Sequence, residues 1–246
     1  MDLNFSHMKS DVTSELVGNV WVVDMRTPAL TAELFGALAN SLQLARNDTR
    51  VKCILIHGTN DYLCAGRNIA EFKAFCPSRS SIAIARSVRA LATQPKPLVA
   101  VVNGIASGFG ALVLLYADHV VAGQRATFQL PFVDLGIIPE AGATALLVRR
   151  VGELRARDWL MSGRVVSVEE AYESGLVSRV THQTSALAIA SDYASMLATK
   201  PPNTLQGIRR RVFDELARGT SESIPTELDY MNSDGHARIW QYVPHA

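Results

Sequence analysis

The chain has 246 residues, 48% hydrophobic and 19% charged, a composition that supports a globular protein with a full core. Its 24 basic and 23 acidic side chains leave a formal net charge of +1, so no nucleic-acid partner held by phosphate neutralisation is expected. Cys53, Cys64 and Cys76 form no CxxC pair, which excludes a disulfide framework and a zinc site. No apolar run reaches the roughly 18 residues of a membrane span, and MDLNFSHMKSDV carries no apolar signal core. A cytoplasmic protein is the expectation.

In chain order, Glu15–Met25 is rich in β-branched and aromatic residues and reads as one strand. Thr31–Ala45 has helical spacing at Leu34, Leu38 and Leu42, with Thr31 as a candidate cap. Val51–Gly58 is a short buried strand. Thr59 to Phe72 holds Asn, Asp and Gly and reads as a loop running into a helical turn. A helix over Ser81–Ala92 ends at QPKP. The apolar strand Leu98–Gly104 leads into SGFG and the helix ALVLLYA, and HVVAG is another strand.

Beyond Gly142 the pattern is helical: Thr144–Val151, Arg155–Met161, Val168–Ser174, Ser185–Thr199 and Pro202–Arg218. The fold class is therefore α/β, with strands and helices in the first part and a helical C-terminal region. The basic groups Arg149, Arg150, Arg155 and Arg157, and Arg209, Arg210 and Arg211, read as solvated helix faces.

Two segments share one design. YLCAGRNIAEF (residues 62–72) and VVNGIASGFGALVLL (residues 101–115) each run from a buried strand through a glycine turn into a first helical turn. Amides of a first turn have no intrahelical acceptor and carry the positive end of the helix dipole. Two such turns brought together would aim two N–H donors at one oxygen, the arrangement that stabilises an oxyanion in acyl chemistry. A third segment, DLGIIPEAGAT, sets a single carboxylate, Glu140, among apolar and small residues. By periodicity alone Glu140 is a first-turn residue favourable to a helix dipole. His57 and His119 read as structural, Cys64 lacks a base to activate it, and Tyr62, Tyr116 and Trp159 read as packing residues. Asp61, Asn68 and Glu71 flank the first turn, and Asp134 reads as lying outside the pocket.

The succession AGRNIAEF, KPLVAVVNGIASGFG, ATFQLPFVDLGIIPEAGAT and LMSGRVVSVEEAYESGLVSRV resembles the enoyl-CoA hydratase/isomerase (crotonase) superfamily over about residues 15–200. The resemblance implies a spiral of ββα units over residues 1–195. A helical region over 196–246 would build a homotrimer or hexamer. It implies an acyl thioester substrate on CoA or on the phosphopantetheine of an acyl carrier protein, with no further cofactor and no metal. Its oxyanion donors map onto the backbone N–H groups of Arg67 and Phe109. Ala65, Gly66, Gly108, Leu112 and Phe132 then line the substrate site. Arg67 or Lys73 near the entrance could meet the carrier's phosphates.

The departures from the family pattern are informative. The two positions that carry glutamates in its hydratases are Leu112 and Phe132 here. Water addition needs groups that hold and activate water, so simple hydration is disfavoured. Glu140, in PFVDLGIIPEAG, stands where Δ3,Δ2-enoyl-CoA isomerases similar to this chain carry their catalytic Glu. Desolvation raises the pKa of a carboxyl in an apolar pocket and makes it a better base near neutrality. The expected activity is double-bond isomerisation in an enoyl thioester with Glu140 as the proton shuttle. Decarboxylation, dehalogenation, hydration or thioester hydrolysis on the same oxyanion hole are the enzymatic alternatives. A non-catalytic acyl-thioester binding subunit is the alternative from another class.

Overall fold

The computed structural model describes residues 11–66, 77–139 and 142–217. The chain opens with a hairpin, β1 (Asp11–Val17) against β2 (Val20–Arg26), paired antiparallel from Asp11↔Arg26 to Val17↔Val20. The stretch expected to be one strand over Glu15–Met25 is thus two strands. The break is the two-residue turn Gly18–Asn19, with Gly18 at φ 59°, a backbone conformation suited to a tight hairpin. Helix α1 (Ala32–Asn47) follows, and its cap is the expected one: Thr31 Oγ1 accepts from Leu34 N at 3.2 Å.

Three strand pairs then repeat one plan. They are β3 (Cys53–His57) with β4 (Tyr62–Cys64), β5 (Leu98–Val102) with β6 (Ile105–Ser107), and β7 (His119–Gly123) with β8 (Thr127–Gln129). The first strand of each pair joins a six-stranded sheet of order β1-β2-β3-β5-β7-β10, the last being Arg179–Thr181. The second joins a four-stranded sheet of order β4-β6-β8-β9, the last being Val165–Ser167. Helix α2 (Pro77–Ala92) lies between the first two pairs, α3 (Phe109–Leu115) follows the second, and α4 (Ala143–Val151) follows the third. This is the expected ββα repetition. The loop expected from Thr59 onward contains the strand β4, and β6 and β8 are likewise only three residues long.

The expected C-terminal helices are present as α4, α5 (Glu153–Ser162), α6 (Val168–Glu173), α7 (Gln183–Ala198) and α8 (Pro202–Ala217). Two short strands interrupt them. β9 (Val165–Ser167) closes the smaller sheet against β8, and β10 (Arg179–Thr181) extends the larger one against β7. Both are too short for a periodic signal, and pairing with distant strands makes them.

Strand alternation divides the core. Ile54 and Ile56 of β3, with Leu98, Ala100 and Val102 of β5, face the main core shared with α1, α2 and α3. Cys53 and Leu55, with Val99 and Val101, face α7, which meets them with Ala186, Ala190 and Ala194 at four-residue spacing. Those small side chains let α7 lie close on the sheet. No described helix is long and apolar enough to cross a membrane.

Candidate active site

The two glycine turns meet because of strand register. β4 and β6 are parallel neighbours, with Tyr62 opposite Ile105 and Cys64 opposite Ala106. The register shifts between Tyr62 and Cys64, and Gly66 and Gly108 then each lie two residues beyond the paired Cys64 and Ala106, so they emerge side by side. A Cβ built on Gly108 would lie 3.4 Å from Gly66 Cα, and one built on Gly66 would lie 3.8 Å from Phe109 N. Gly108 has φ 53° and Gly66 φ 103°, so a side chain at either position would strain the backbone as well as crowd the contact.

Hydrogen bonds fix both turns. Gly108 N donates to Gln129 O at 3.0 Å, and Gly108 O accepts from Ala111 N and Leu112 N. Phe109 N is therefore the first amide of α3, and no intrahelical acceptor exists for it. On the other turn, Leu30 N donates to Gly66 O at 2.8 Å and Ala65 N donates to Pro28 O at 2.6 Å. Close packing completes the corner. A Cβ on Gly110 would sit 2.1 Å from Cys64 O, so only glycine lets the first turn of α3 rest directly on β4.

The expected site residues divide three ways. Gly66, Gly108 and Phe109 are brought together, with Ala65 beside Gly66 in the chain. The Phe109 ring points into the core, edge-to-face on Phe35 with centroids 4.7 Å apart. Leu112 and Phe132 are buried in the main core, at 0% and 5% exposure, and the interior holds no carboxylate at those positions. Arg67 and Glu140 lie outside the described residues, as do Asn68, Glu71 and Lys73.

A family model for "Enoyl-CoA hydratase/isomerase" matches residues 15–238. The chain belongs to the enoyl-CoA hydratase/isomerase family. It is 30% identical over 220 residues to 1,2-epoxyphenylacetyl-CoA isomerase of Escherichia coli K12, covering 86% of this chain and 84% of that protein. It is 35% identical over 187 residues to 2,3-dehydroadipyl-CoA hydratase of the same organism, covering 74% and 72%. Its fold superposes on the crystal structure of an enoyl-CoA hydratase from Mycobacterium avium subsp. paratuberculosis K-10 with a TM-score of 0.84. That match has 26% identity and covers 94% of this chain and 93% of the other.

In this member of the enoyl-CoA hydratase/isomerase family the remaining chemical groups have other duties. The Cys64 thiol is fully buried, accepts from Gly66 N at 3.3 Å and donates to Gly66 O at 3.4 Å. Burial pushes its pKa up to about 12, so it stays protonated and braces the turn rather than attacking a substrate. His57 Nδ1 lies 3.0 Å from Gly58 O and 3.7 Å from Asp24 Oδ1, lining a separate cleft of about 570 Å³ with Asn103 and Gln183. His119 stacks on Tyr193 at 3.9 Å, and burial, helped by the nearby Arg179, lowers its pKa. Asp134 is exposed, as expected for a residue outside the pocket. Trp159 is buried, and its Nε1 donates to Glu170 Oε1 at 2.9 Å. Among the described residues no three His, Cys, Asp or Glu side chains cluster as metal ligands.

Sequence reasoning missed two features here. The second glycine of GFG, Gly110, is the close-approach glycine, and its spacing after Gly108 is the only local signal for it. The other is a pair of arginines read as solvated. Arg209 is 6% exposed and Arg150 is half-buried, both spent on carbonyls at the far end of α3.

Proposed function

We propose that this protein is an isomerase that shifts a carbon–carbon double bond in an enoyl thioester, between the 3-enoyl and the conjugated 2-enoyl forms. Glu140 removes a proton from C2. Negative charge develops on the thioester oxygen, where the amides of Phe109 and Arg67 hold it. Glu140 then returns the proton at C4 on the same face of the planar dienolate. Each amide is worth about 10²–10³ in rate when aimed at the developing charge. The reaction is redox-neutral and calls for no cofactor beyond the CoA or phosphopantetheine carrier.

The observation that carries this reading is the contact of Gly66 with Gly108 around the open Phe109 amide, combined with Leu112 buried one helical turn further on. The corner can stabilise an enolate, yet Leu112 and Phe132 supply nothing to activate water. Hydration is the second reading, favoured by the 35% identity to a protein named as a hydratase. We further propose a homotrimer or hexamer built by the C-terminal region. Ile208 and Val212, exposed at i and i+4 on α8, give it apolar surface.

The test is proton exchange and isomerisation on a panel of 3-enoyl thioesters, in CoA and pantetheine forms, in deuterated water. Deuterium should enter C2 and C4 with the wild type and fail to enter with Glu140→Gln. Water addition to a 2-enoyl thioester without exchange would establish the hydratase reading. Binding without exchange on any thioester would overturn isomerisation in favour of a binding subunit.

A further inference from the structure

We infer that Arg150 is a positioning residue for the proposed reaction, locking the C-terminal end of α3 to the C-terminal end of α4. The inference rests on the isomerase reading. α3 is seven residues long and every one of them is buried. Val113 O and Leu114 O accept from Tyr116 N and Ala117 N, and the carbonyls that follow, away from water, must find partners elsewhere. Arg150 Nη2 donates to Ala117 O at 2.7 Å and to Leu115 O at 3.3 Å. Arg150 stands in the last turn of α4.

The consequence is geometric. α3 presents the Phe109 amide at its N-terminal end. α4 begins at Ala143, three residues after Glu140 in the chain. The two helices therefore carry, at their leading ends, the proposed oxyanion donor and the segment with the proposed base. Arg150 ties their trailing ends together. A guanidinium bridging two carbonyls of a neighbouring helix fixes both the spacing and the rotation of the pair.

Arg209 supplies an internal control. It takes the carbonyl between the two, with Nη2 donating to Tyr116 O at 3.0 Å. Its Nε donates to Asp118 Oδ2 at 2.7 Å and its Nη1 donates to Gln94 O. Asp118 Oδ2 also accepts from Leu98 N at 2.7 Å. Arg209 thus anchors the same end of α3 to α8, to β5 and to the segment after α2. Both arginines hold the end of α3, and Arg150, standing on α4, ties it to that helix.

The experiment compares Arg150→Met, Arg150→Lys and Arg209→Met in the full chain, on the 3-enoyl thioester that the wild type turns over best. All are measured well below their unfolding temperatures. A misplacement of about 1 Å costs about 10²-fold, so kcat of Arg150→Met should fall about 10–100-fold with KM within about threefold. Arg150→Lys should recover part of that loss, because an ammonium can still reach one carbonyl. Arg209→Met should lower the melting temperature yet keep kcat within about threefold of wild type. An Arg150→Met enzyme with wild-type kcat overturns the inference, as does an Arg209→Met enzyme that loses kcat equally. If Arg150→Met does not fold, Arg150→Lys decides: a lowered kcat at unchanged KM supports the inference and a wild-type kcat overturns it. A wild type inert on every thioester overturns the isomerase reading and this inference together, whereas an active wild type with unaffected Arg150 variants overturns this inference alone.

Discussion

The two ends of α3 have opposite fates. At its N-terminal end, glycine lets backbone meet backbone, and the Phe109 amide is left without an intrahelical partner. At its C-terminal end, two guanidiniums take three consecutive carbonyls, Leu115, Tyr116 and Ala117. A buried helix end costs free energy unless its polar groups are satisfied. The C-terminal end is satisfied by side chains of this chain. The N-terminal end is the one that, in the proposed reaction, a substrate oxygen would complete. A short buried helix can thus be anchored at one end and left open to a ligand at the other.

The largest effect should come from breaking the close approach at the open end. Gly110→Ala places a Cβ 2.1 Å from Cys64 O, a backbone atom that cannot swing aside. Overpacking costs about 1–3 kcal/mol and more against backbone, so the variant should lose about 3 kcal/mol or fail to fold, as urea unfolding would read. A fully stable Gly110→Ala protein would show that α3 does not rest on β4.

Loosening the anchored end should rank second. Arg209→Met removes the guanidinium donors to Asp118 and to the carbonyls of Gln94 and Tyr116. Removing one partner of a fully buried pair costs about 3–5 kcal/mol. Asp118 keeps some solvent contact, its side chain being 29% exposed, so about 2–3 kcal/mol is expected by the same measurement.

Third comes the division between the Phe109 amide and its ring. Phe109→Leu and Phe35→Leu should each destabilise the fold, and the double variant should reveal a coupling of about 0.5–1.5 kcal/mol for the edge-to-face pair. Strict additivity would mean that the ring does not anchor the helix start.

The smallest effect lies outside the comparison and sharpens it. Arg164 pairs with Asp158 and Glu170 at 2.6 Å each, with its side chain 39% exposed. Hydrogen bonds from Arg164 and then from Trp159 hold the Glu170 carboxyl down at about 2, against desolvation. A folded pKa below the unfolded value adds stability above pH of about 4.5, lost as pH falls towards about 2. In solvent that contribution is only about 0.5–1 kcal/mol. Glu170→Gln should flatten the stability profile across that window, and an unchanged profile would remove Glu170 from the acid response. Guanidinium–carboxylate contacts therefore weigh more at the buried end of α3 than on this surface.

Much of the fold was legible because its signals are local. Thr31 caps α1 as its side chain dictates, and the apolar runs CILIH, LVAVV and HVVAG are central strands. The glycine turns at Gly66 and Gly108 were legible as corners, and so were the family positions occupied by Leu112 and Phe132. The hairpin at Gly18–Asn19 was written in the chain and hidden by the continuous apolar pattern on either side. The three-residue strands Tyr62–Cys64, Thr127–Gln129 and Val165–Ser167 were not legible, since pairing across the smaller sheet is what creates them.

By itself the sequence determined the α/β alternation, the two glycine corners and the Leu and Phe that stand at positions 112 and 132. Each depends on residue type and near-neighbour spacing. The tertiary structure alone decided that the two corners touch, because that follows from the register of Cys64 opposite Ala106. It alone turned the Phe109 ring inward and drew Arg150 and Arg209 from an apparent solvated face onto the carbonyls of α3. The physical reason is that a charged side chain enters a core only where unsatisfied partners wait, and those partners lie 33 to 115 residues away in the chain.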